Sequence, residues 1–445
     1  MTAAFHLAWN ARPMDTGDSM AIDLSKIAFL PRSAELDLDG RVLVGGCRLE
    51  DVAERFGTPS FVVDELDLRE TARDFQEAFL SWHAPSRVCF ASKAFPCTAV
   101  VSVFAEQGLG CDIAGRGELE IALAAGMDPA AIVVHGNAKT EEELAAALEA
   151  GVGLIVIDGP DDLTRLERLG ALAQPVLLRV NPGVQAHTHA ALATGHAGSK
   201  FGVPLEAAPA LLRALGRSSA VAVRGLHMHL GSQLTDLEAF APAVERLATL
   251  GRFDVYDFGG GLGVRYGPGD RVPSIEQYAE HLVGLLHRHL GREVELVVEP
   301  GRSLVASSTL TLYRVVTVKR GTTTFVAVDG GMADNLEPSM YGTRFTPIAL
   351  TSDGPEQSCE LVGRQCETGD VLVSGARLPE QQPGDLVALA LTGGYCYSLL
   401  SNYNGALRPP VVFCASGEAS VRVRRETYAE LLARDISPIL EETQS

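Results

Sequence analysis

Apolar and polar positions alternate regularly between about residues 58 and 305. Eight short apolar runs recur there, and amphipathic stretches such as EEELAAALEAG and DDLTRLERLGALA separate them. The runs are SRVCFASKA, GLGCDIA, AAIVVHGN, VGLIVID, PVLLRVNPG, AVRGLHMHLGS, FDVYDFGGG and VELVVEPGR. Eight strands that are each followed by a helical segment fit a closed barrel better than an open sheet, so the pattern predicts an α/β barrel, (β/α)8, of parallel strands.

The pattern changes after residue 305 to short alternating runs broken by Gly, Pro and Asp, among them TLYRVVTVKRG, TTFVAVDGG, DVLVSG and ASVRVRRE. Such runs are typical of an antiparallel β domain. Before the barrel, LEDVAERFGTPSFVVD at 49–64 is predicted to be helical, and GRVLVGG is predicted to be a strand that crosses over to the second domain. We therefore predict an N-terminal extension at 1–25, a barrel domain at 58–305, and a β-sandwich or β-barrel domain built from 26–57 and 306–440.

Composition and charge limit the classes of function. With 445 residues, 46% of them hydrophobic, the chain has room for about two domains with large cores. Its formal net charge of −19 argues against nucleic acid or an anionic membrane as a partner, because both attract basic surfaces. No run reaches the ~18 apolar residues of a spanning helix and no secretory pattern opens the chain, so we expect a cytoplasmic protein. The eight cysteines lack zinc-like spacing and are expected to be reduced thiols.

Polar residues stand where the predicted barrel strands end. They are Lys93, Asp112, His135 to Asn137, Asn181, His227, His229, Gly259 to Gly261, and Glu299 to Arg302. The C-terminal ends of the strands meet at one rim of a barrel, and the active sites of barrel enzymes are built there. These residues are therefore candidates for one common site.

Lys93 lies in VCFASKAFPC, a run that otherwise has the composition of a fully buried strand. A lysine is almost never buried without a partner, because its ammonium group is costly to remove from water. One interpretation is a lysine at a strand end whose ammonium group reaches solvent. The other is an amine that is kept partly neutral and attacks an aldehyde. This stretch alone leaves both interpretations open.

Two further motifs at the rim also have alternative interpretations. DFGGGLGVRYG lacks the spacing of a dinucleotide site, and its glycines suit either a backbone turn around one phosphate group or a tight strand–helix turn. His227 and His229 in GLHMHLGS lie on the same side of a strand. They fit a metal site with His187, His189 and His196 as further ligands, a histidine of the core, or an imidazole stacked on a flat cofactor.

One cofactor uses all of these residues, whereas a metal site leaves Lys93, Glu299 and the glycines without a common purpose. Pyridoxal phosphate needs a lysine for its aldehyde, a backbone cradle for its phosphate, a stacking partner for its ring and a carboxylate near its pyridine nitrogen. The motifs at the rim supply one candidate for each of these needs.

A series of motifs in fixed order indicates a family. FASKAF, HGN, NPGVQAHTH, TGHAGSKFG, GLHMHLGSQ, GGGLG, EPGRS, VDGGM, CETGD and YSLLSNYN follow one another over about residues 40 to 425. Together they closely resemble the diaminopimelate decarboxylase family. This family belongs to the barrel-type enzymes that use pyridoxal phosphate, with ornithine decarboxylase and, more distantly, alanine racemase as relatives.

The resemblance implies a two-domain, alanine-racemase-like fold, pyridoxal 5'-phosphate as cofactor, no metal, and decarboxylation of meso-diaminopimelate to L-lysine. It also implies a head-to-tail homodimer with shared active sites. In the family's motifs, Lys93 corresponds to the lysine that bonds the cofactor, and Cys366 to a proton donor that reaches the partner's barrel. The cofactor set further contains His229 on the ring, Ser232, Gly261 and Gly301 at the phosphate, and Glu299 at the pyridine nitrogen. Glu337, Tyr341 and Glu367 match substrate positions, and Arg302 and Tyr395 match positions that meet both cofactor and substrate.

The chain departs from this family at Glu337. Diaminopimelate decarboxylases typically carry an arginine four residues before the tyrosine that is Tyr341 here, and that arginine helps to hold the distal carboxylate of the substrate. A glutamate there repels a carboxylate, so we expect a substrate that ends in an amine, an amide or a longer conjugated group, as in a specialised pathway. The alternative is that Arg344 compensates and diaminopimelate remains the substrate. A carrier protein as partner stays open.

Two other classes of function also stay open. A racemase on the same barrel would use a lysine and a tyrosine as its two bases, but the CETGD and GLHMHLGSQ motifs argue against it. A non-catalytic homologue would not need the lysine, glutamate and cysteine that this chain retains.

Overall fold

The computed structural model describes residue 26, residues 28–184 and residues 198–436. Its first three strands, β1 (Glu35–Leu36), β2 (Val42–Val44) and β3 (Cys47–Arg48), form a small antiparallel sheet of their own. The helix that follows covers Leu49–Phe56 and is shorter than the predicted 49–64. It ends because Gly57 adopts a φ of 74°, which favours glycine, and because Pro59 has no backbone N–H to continue the helix.

Strand β4 (Ser60–Asp64) differs from the predicted domain boundary, because it lies in the sheet of the second domain and not in the barrel that was expected to begin at residue 58. All five of its residues are buried. A short run that is buried on both faces has the same pattern in a barrel strand and in the middle of a mixed sheet, so the sequence could not separate the two.

The predicted barrel is confirmed. The strands of this part of the chain are β5 (Ser86–Ala91), β6 (Gly110–Ile113), β7 (Ile132–Val134), β8 (Leu154–Ile157), β9 (Gln174–Asn181), β10 (Val203–Pro204), β11 (Val221–His227), β12 (Val255–Asp257) and β13 (Glu295–Val298). All except the short β10 form the closed parallel ring β9-β11-β12-β13-β5-β6-β7-β8, in which β8 also pairs with β9. Six ring strands fall within their predicted runs, and β9 and β11 each begin one residue before theirs.

Helices surround this ring, and their ends carry the expected signals. They cover Glu65–Trp82, Thr98–Glu106, Arg116–Ala124, Glu141–Ala150, Pro160–Arg168, Ala208–Leu215, Phe240–Ala248 and Ile275–His289. Thr140 and Ser274 begin two of them with capping boxes, in which the side chain and the backbone satisfy each other's hydrogen bonds. None of the described helices is both long and apolar enough to cross a membrane.

The second domain is a mixed sheet. Its strands are β14 (Thr309–Lys319), β15 (Phe325–Val328), β16 (Pro347–Ala349), β17 (Gln357–Val362), β18 (Val371–Leu378), β19 (Leu386–Leu389), β20 (Val411–Ala415) and β21 (Glu418–Val423). They join β4 in the order β18-β17-β15-β14-β4-β20-β21, and β19 links β16 to β14. Most pairs are antiparallel as predicted, but β15 with β17 and β4 with β20 are parallel. Short helices cover Arg302–Val305, Glu337–Tyr341 and Tyr428–Leu432.

Candidate active site

The polar layer at the barrel mouth follows from the alternation of side chains along the strands. Seven residues fill the barrel interior as one apolar cluster, namely Cys89, Val133, Leu154, Val156, Leu177, Val255 and Val297. Residues two positions apart on a strand share a face, so the residue two places later also faces the interior, nearer the C-terminal end. Those positions include His135, Arg179, Asp257 and Glu299. The barrel therefore carries a charged layer directly above an apolar one.

A cavity of about 410 Å³ lies at this mouth. Ten of the twelve residues predicted for the site line it, namely Lys93, His229, Ser232, Gly261, Glu299, Gly301, Arg302, Glu337, Tyr341 and Tyr395. Glu337, Tyr341 and Tyr395 come from the part of the chain after the barrel, so both domains of one chain build the cavity. The other two predicted residues, Cys366 and Glu367, do not line it.

Lys93 is not in the strand and is not buried. Strand β5 ends at Ala91, and a 3₁₀ turn over Ser92–Ala94 directs Lys93 into the cavity, where its side chain is exposed. The surrounding barrel walls desolvate the amine of Lys93, which acts to lower its pKa. The charges of Asp112, Tyr395 and Glu299 nevertheless raise this pKa above its usual value. Of the two interpretations of Lys93, the exposed side chain and the raised pKa favour the lysine at a strand end whose ammonium group reaches solvent. The contact of the side chain with cavity solvent is consistent with an ammonium group that keeps its charge.

Glu299 lies next to two histidines at the cavity wall. His135 Nε2 lies 2.6 Å from Glu299 Oε1, and His227 Nε2 lies 3.4 Å from Glu299 Oε2. Burial alone would raise the pKa of Glu299, but the charge and hydrogen bond of His135, together with His227, hold it well below its usual range. Burial and the neighbouring Glu299 charge raise the pKa of Asp257 well above its usual range. The pKa values of these two neighbouring buried carboxylates are thus shifted in opposite directions.

Replacing His135 by glutamine is expected to change the pH dependence of stability in the cofactor-free protein. Burial opposes the charged imidazole, but the carboxylates of Asp112 and Glu299 raise its pKa above the usual 6.5. A raised folded-state pKa gives stability that is complete below the unfolded-state value and is lost as the pH rises through the folded-state value. The difference in Tm between wild type and His135→Gln should therefore be largest below pH 6.5 and shrink above it.

His281 provides a matched control for this measurement, since burial lowers its pKa. His281→Gln should show the opposite slope against pH. If the His135→Gln difference grew as the pH rose, the proposed charge state of His135 would be wrong.

The glycine turn after β12 has no room for side chains. A Cβ at Gly260 would lie 2.0 Å from the Glu299 carbonyl oxygen, and one at Gly261 would lie 2.3 Å from the Gly231 carbonyl oxygen. Gly261 also adopts a φ of 116°, which L side chains rarely adopt. The Gly260 N–H donates to Nδ1 of His229 at 3.2 Å, and burial and the nearby Lys93 charge lower the pKa of that imidazole well below its usual range. A neutral imidazole and a bare backbone turn therefore lie side by side.

Arg302 and Glu337 form a buried ion pair at another part of the cavity wall. Arg302 Nη1 donates to Glu337 Oε2 at 3.0 Å, and Nη2 donates to Glu337 Oε1 at 3.2 Å. Nη1 also donates to the Tyr266 hydroxyl at 2.6 Å, and Thr343 donates to Glu337 Oε2 at 2.8 Å. The Arg302 guanidinium lies 4.7 Å over the ring of Tyr395. Arg302 is therefore fixed in place by its own chain.

Cys366 and Glu367 lie in the loop between β17 and β18, and both are exposed. The Cys366 N–H donates to the Asn404 side-chain oxygen at 2.7 Å, and the Tyr403 hydroxyl lies 3.4 Å from Glu367 Oε2. The other seven cysteines of the chain are buried. The structure therefore presents one accessible thiol, which is outside the cavity of its own chain.

Arg179 and Phe201 line the cavity but were not among the predicted site residues. The Arg179 guanidinium lies 4.6 Å over the Phe201 ring, and its Nε lies 3.9 Å from Asp158 Oδ1. A signal for Arg179 was present in the sequence, because it is a charged residue two positions after the interior residue Leu177 in PVLLRVNPG. Asp112 and His135 were predicted at the rim without a role, and both line the cavity.

The two histidines of the HMH motif have different surroundings. His227 faces Glu299, whereas His229 accepts the hydrogen bond from the glycine turn. Ligand atoms of His135, His227, Asp257 and Glu299 lie within 4.8 Å of one another, and His229 is not part of this cluster among the described residues. The three further histidines that were considered as ligands, His187, His189 and His196, lie outside the described residues.

Comparison with known proteins assigns the chain to a family. Residues 66–306 match the family model described as pyridoxal-dependent decarboxylase, pyridoxal binding domain. Diaminopimelate decarboxylase of Actinosynnema pretiosum subsp. auranticum is 44% identical over 414 residues, which cover 89% of this chain and 93% of the relative. The enzyme of Mycobacterium tuberculosis strain H37Rv is 40% identical, over 91% of this chain and 97% of the relative. This chain belongs to the diaminopimelate decarboxylase family.

Solved structures of this family have the same fold. Diaminopimelate decarboxylase from M. jannaschii in complex with L-lysine superposes with a TM-score of 0.86, at 30% identity, over 92% of this chain and 99% of that chain. The Helicobacter pylori enzyme with L-lysine gives a TM-score of 0.81 at 29% identity, over 89% and 100%. The predicted membership of the diaminopimelate decarboxylase family and the predicted fold are therefore confirmed.

Proposed function

We propose that this chain uses pyridoxal 5'-phosphate to remove the α-carboxylate of an amino acid as CO2, the reaction for which its diaminopimelate decarboxylase relatives are named. The observation that carries the proposal is the cavity itself. It combines an accessible primary amine, a neutral imidazole, an ionised carboxylate and a bare backbone turn at the C-terminal mouth of a barrel. These four groups are the ones that this cofactor requires.

The residues present fit the cofactor in chemistry and in space. Gly260 and Gly261 line the cavity and carry no side chains, so a phosphate group can approach the backbone of the turn. Ser232, Gly261 and Gly301 would hold the phosphate, and His229 would stack on the ring. Glu299 would accept a hydrogen bond from the pyridine nitrogen. The low pKa of Glu299 supports this role, because an ionised carboxylate keeps that nitrogen protonated.

Lys93 would form a bond with the aldehyde of the cofactor, because the turn after β5 places its amine in the cavity, where it is exposed. The cofactor, when bound, supplies an electron sink for the electron pair that remains after CO2 leaves. The chain contributes orientation and charge. His135 holds the Glu299 carboxylate in place, and Arg302 stacks on Tyr395 in the cavity wall.

The active unit of the proposed enzyme is a head-to-tail homodimer. Cys366 would return a proton to Cα of the product, but its thiol is exposed on a loop that does not line the cavity of its own chain. No other cysteine is accessible. A second copy of the chain that brings Cys366 and Glu367 over the cavity would complete the site, and the exposed side chains of Met340 and Tyr403 support a contact surface there.

The proposal is tested with purified protein by measuring the visible absorbance of bound pyridoxal phosphate and the release of CO2 from a panel of amino acids that includes meso-diaminopimelate. Visible absorbance together with CO2 release from one of them is expected. Exchange of the Cα hydrogen without CO2 would indicate a racemase instead. Absence of both signals would indicate a non-catalytic homologue.

A further inference from the structure

The Arg302–Glu337 ion pair has properties that bear on the choice of substrate. Glu337 is fully buried and Arg302 is 4% exposed, yet both border the cavity. The two groups are joined by two parallel hydrogen bonds, the arrangement that a guanidinium also offers to a carboxylate ligand. Glu337 thus occupies the face of Arg302 through which a ligand's carboxylate would bind.

We propose that Glu337 acts as a built-in counter-ion of Arg302, so that the site selects amino acids whose distal end is an amine or an amide and rejects those with a free distal carboxylate. This inference rests on the proposed decarboxylation and names the substrate class for it. Glu337 is a specificity-determining residue in this account, because it takes the place that a negatively charged substrate end would need.

The hydrogen-bonding capacity of Arg302 supports the proposal. Of its five N–H groups, two on Nη1 are engaged by Tyr266 and Glu337, and one on Nη2 is engaged by Glu337. The two remaining N–H groups, on Nε and Nη2, form the other two-point face of the guanidinium, but Nε is buried out of reach of solvent and has no hydrogen-bond partner among the described residues, so this face is closed to a ligand. A carboxylate could bind in two-point fashion only by displacing Glu337, which would leave a buried negative charge without its partner.

The other cations near the cavity do not replace Arg302. Lys93 is committed to the cofactor in the proposed function. The buried Arg179 lies near Asp158 and stacks on Phe201. Arg344, the residue that was considered as a compensating cation, is exposed and is not part of the cavity wall.

The groups that remain at this part of the wall suit an uncharged or positive ligand end. Tyr341 and Tyr395 are partly exposed there and offer hydroxyl oxygens that accept hydrogen bonds from an amine or an amide N–H. The ring of Tyr341 also offers a face for a cation. The Arg302–Glu337 pair carries no net charge, so it does not repel an incoming ammonium group.

The test compares D-lysine with meso-diaminopimelate. Decarboxylation of meso-diaminopimelate to L-lysine removes the carboxylate of the D centre, so D-lysine keeps the reacting end and lacks only the distal carboxylate. Wild type is expected to show a kcat/KM at least about tenfold higher for D-lysine, and Glu337→Gln is expected to shift the ratio toward diaminopimelate on the order of 100-fold, mainly through KM. Glu295→Gln is the matched control. It breaks another Arg–Glu pair, with Arg87 at 2.7 Å, at the start of strands β5 and β13 and away from the cavity, so it should leave the ratio unchanged.

A binding measurement keeps the test independent of turnover and of how well the variant folds. Calorimetry on wild type compares ε-aminocaproate with adipate, a pair of unreactive ligands that differ in the distal amine or carboxylate. Tighter binding of ε-aminocaproate is expected. Stronger binding of adipate would overturn the proposal. So would a wild type that prefers diaminopimelate to D-lysine, if Glu337→Gln left the ratio of the two kcat/KM values unchanged. If no amino acid released CO2 but ε-aminocaproate still bound more tightly than adipate, the proposed decarboxylation would be refuted and the role of Glu337 would stand.

Discussion

Replacing Lys93 by alanine is expected to remove the visible absorbance of the bound cofactor and to lower turnover by roughly 10⁴-fold or more. Lys93 is the one lysine that lines the cavity, and the turn over Ser92–Ala94 places its amine there. Without it, the cofactor keeps only noncovalent contacts with the phosphate cradle and with Glu299. The absorbance spectrum and CO2 release of the purified variant provide the measurement.

Lys319→Ala is the control for this variant, because Lys319 is exposed at the end of β14 in the second domain. Its absorbance and activity should equal those of wild type. An unchanged visible spectrum in Lys93→Ala would mean that another amine holds the cofactor, and the assignment of Lys93 would then fail.

The barrel and the composition of its mouth could be predicted because both depend on local sequence periodicity. Eight apolar runs specify eight strands, and the side-chain period of two brings the residues after those runs to one rim. The same logic would have found Arg179, two positions after Leu177. It could not place β4, because burial on both faces is common to parallel barrels and to central strands of mixed sheets.

Contacts between distant parts of the chain could not be predicted. The sequence indicated a charge conflict at Glu337, but its pairing with Arg302 joins the end of β13 to a short helix 35 residues later, across the boundary between the two domains. The point at which the strand before Lys93 ends could not be predicted either. A turn of three residues that contains Lys93 follows β5, and an apolar run gives no signal for the point at which a strand stops.

Replacing Cys366 by alanine is expected to lower kcat by about 10²- to 10⁴-fold, because proton transfer to Cα loses its donor. The visible absorbance should persist, since Cys366 does not line the proposed cofactor cavity of its own chain. If a second copy supplies Cys366, mixing this variant with inactive Lys93→Ala should restore activity. After subunit exchange, half of the dimers are mixed and one of their two sites is intact, so about a quarter of the wild-type activity should return.

A second mixture separates shared sites from other causes of recovery. Lys93 and Glu299 line the same cavity of one chain, so a mixed dimer of Lys93→Ala and Glu299→Ala has a defect in each of its cavities and should stay inactive. Recovery in this mixture as well would point to an artefact of subunit mixing. If subunits exchange and the Lys93→Ala with Cys366→Ala mixture stays inactive, Cys366 acts within its own chain, and its loop between β17 and β18 must then move toward the barrel mouth during turnover. Because Cys366 is the one accessible thiol of the chain, these two mixtures decide whether the proton donor comes from the partner subunit.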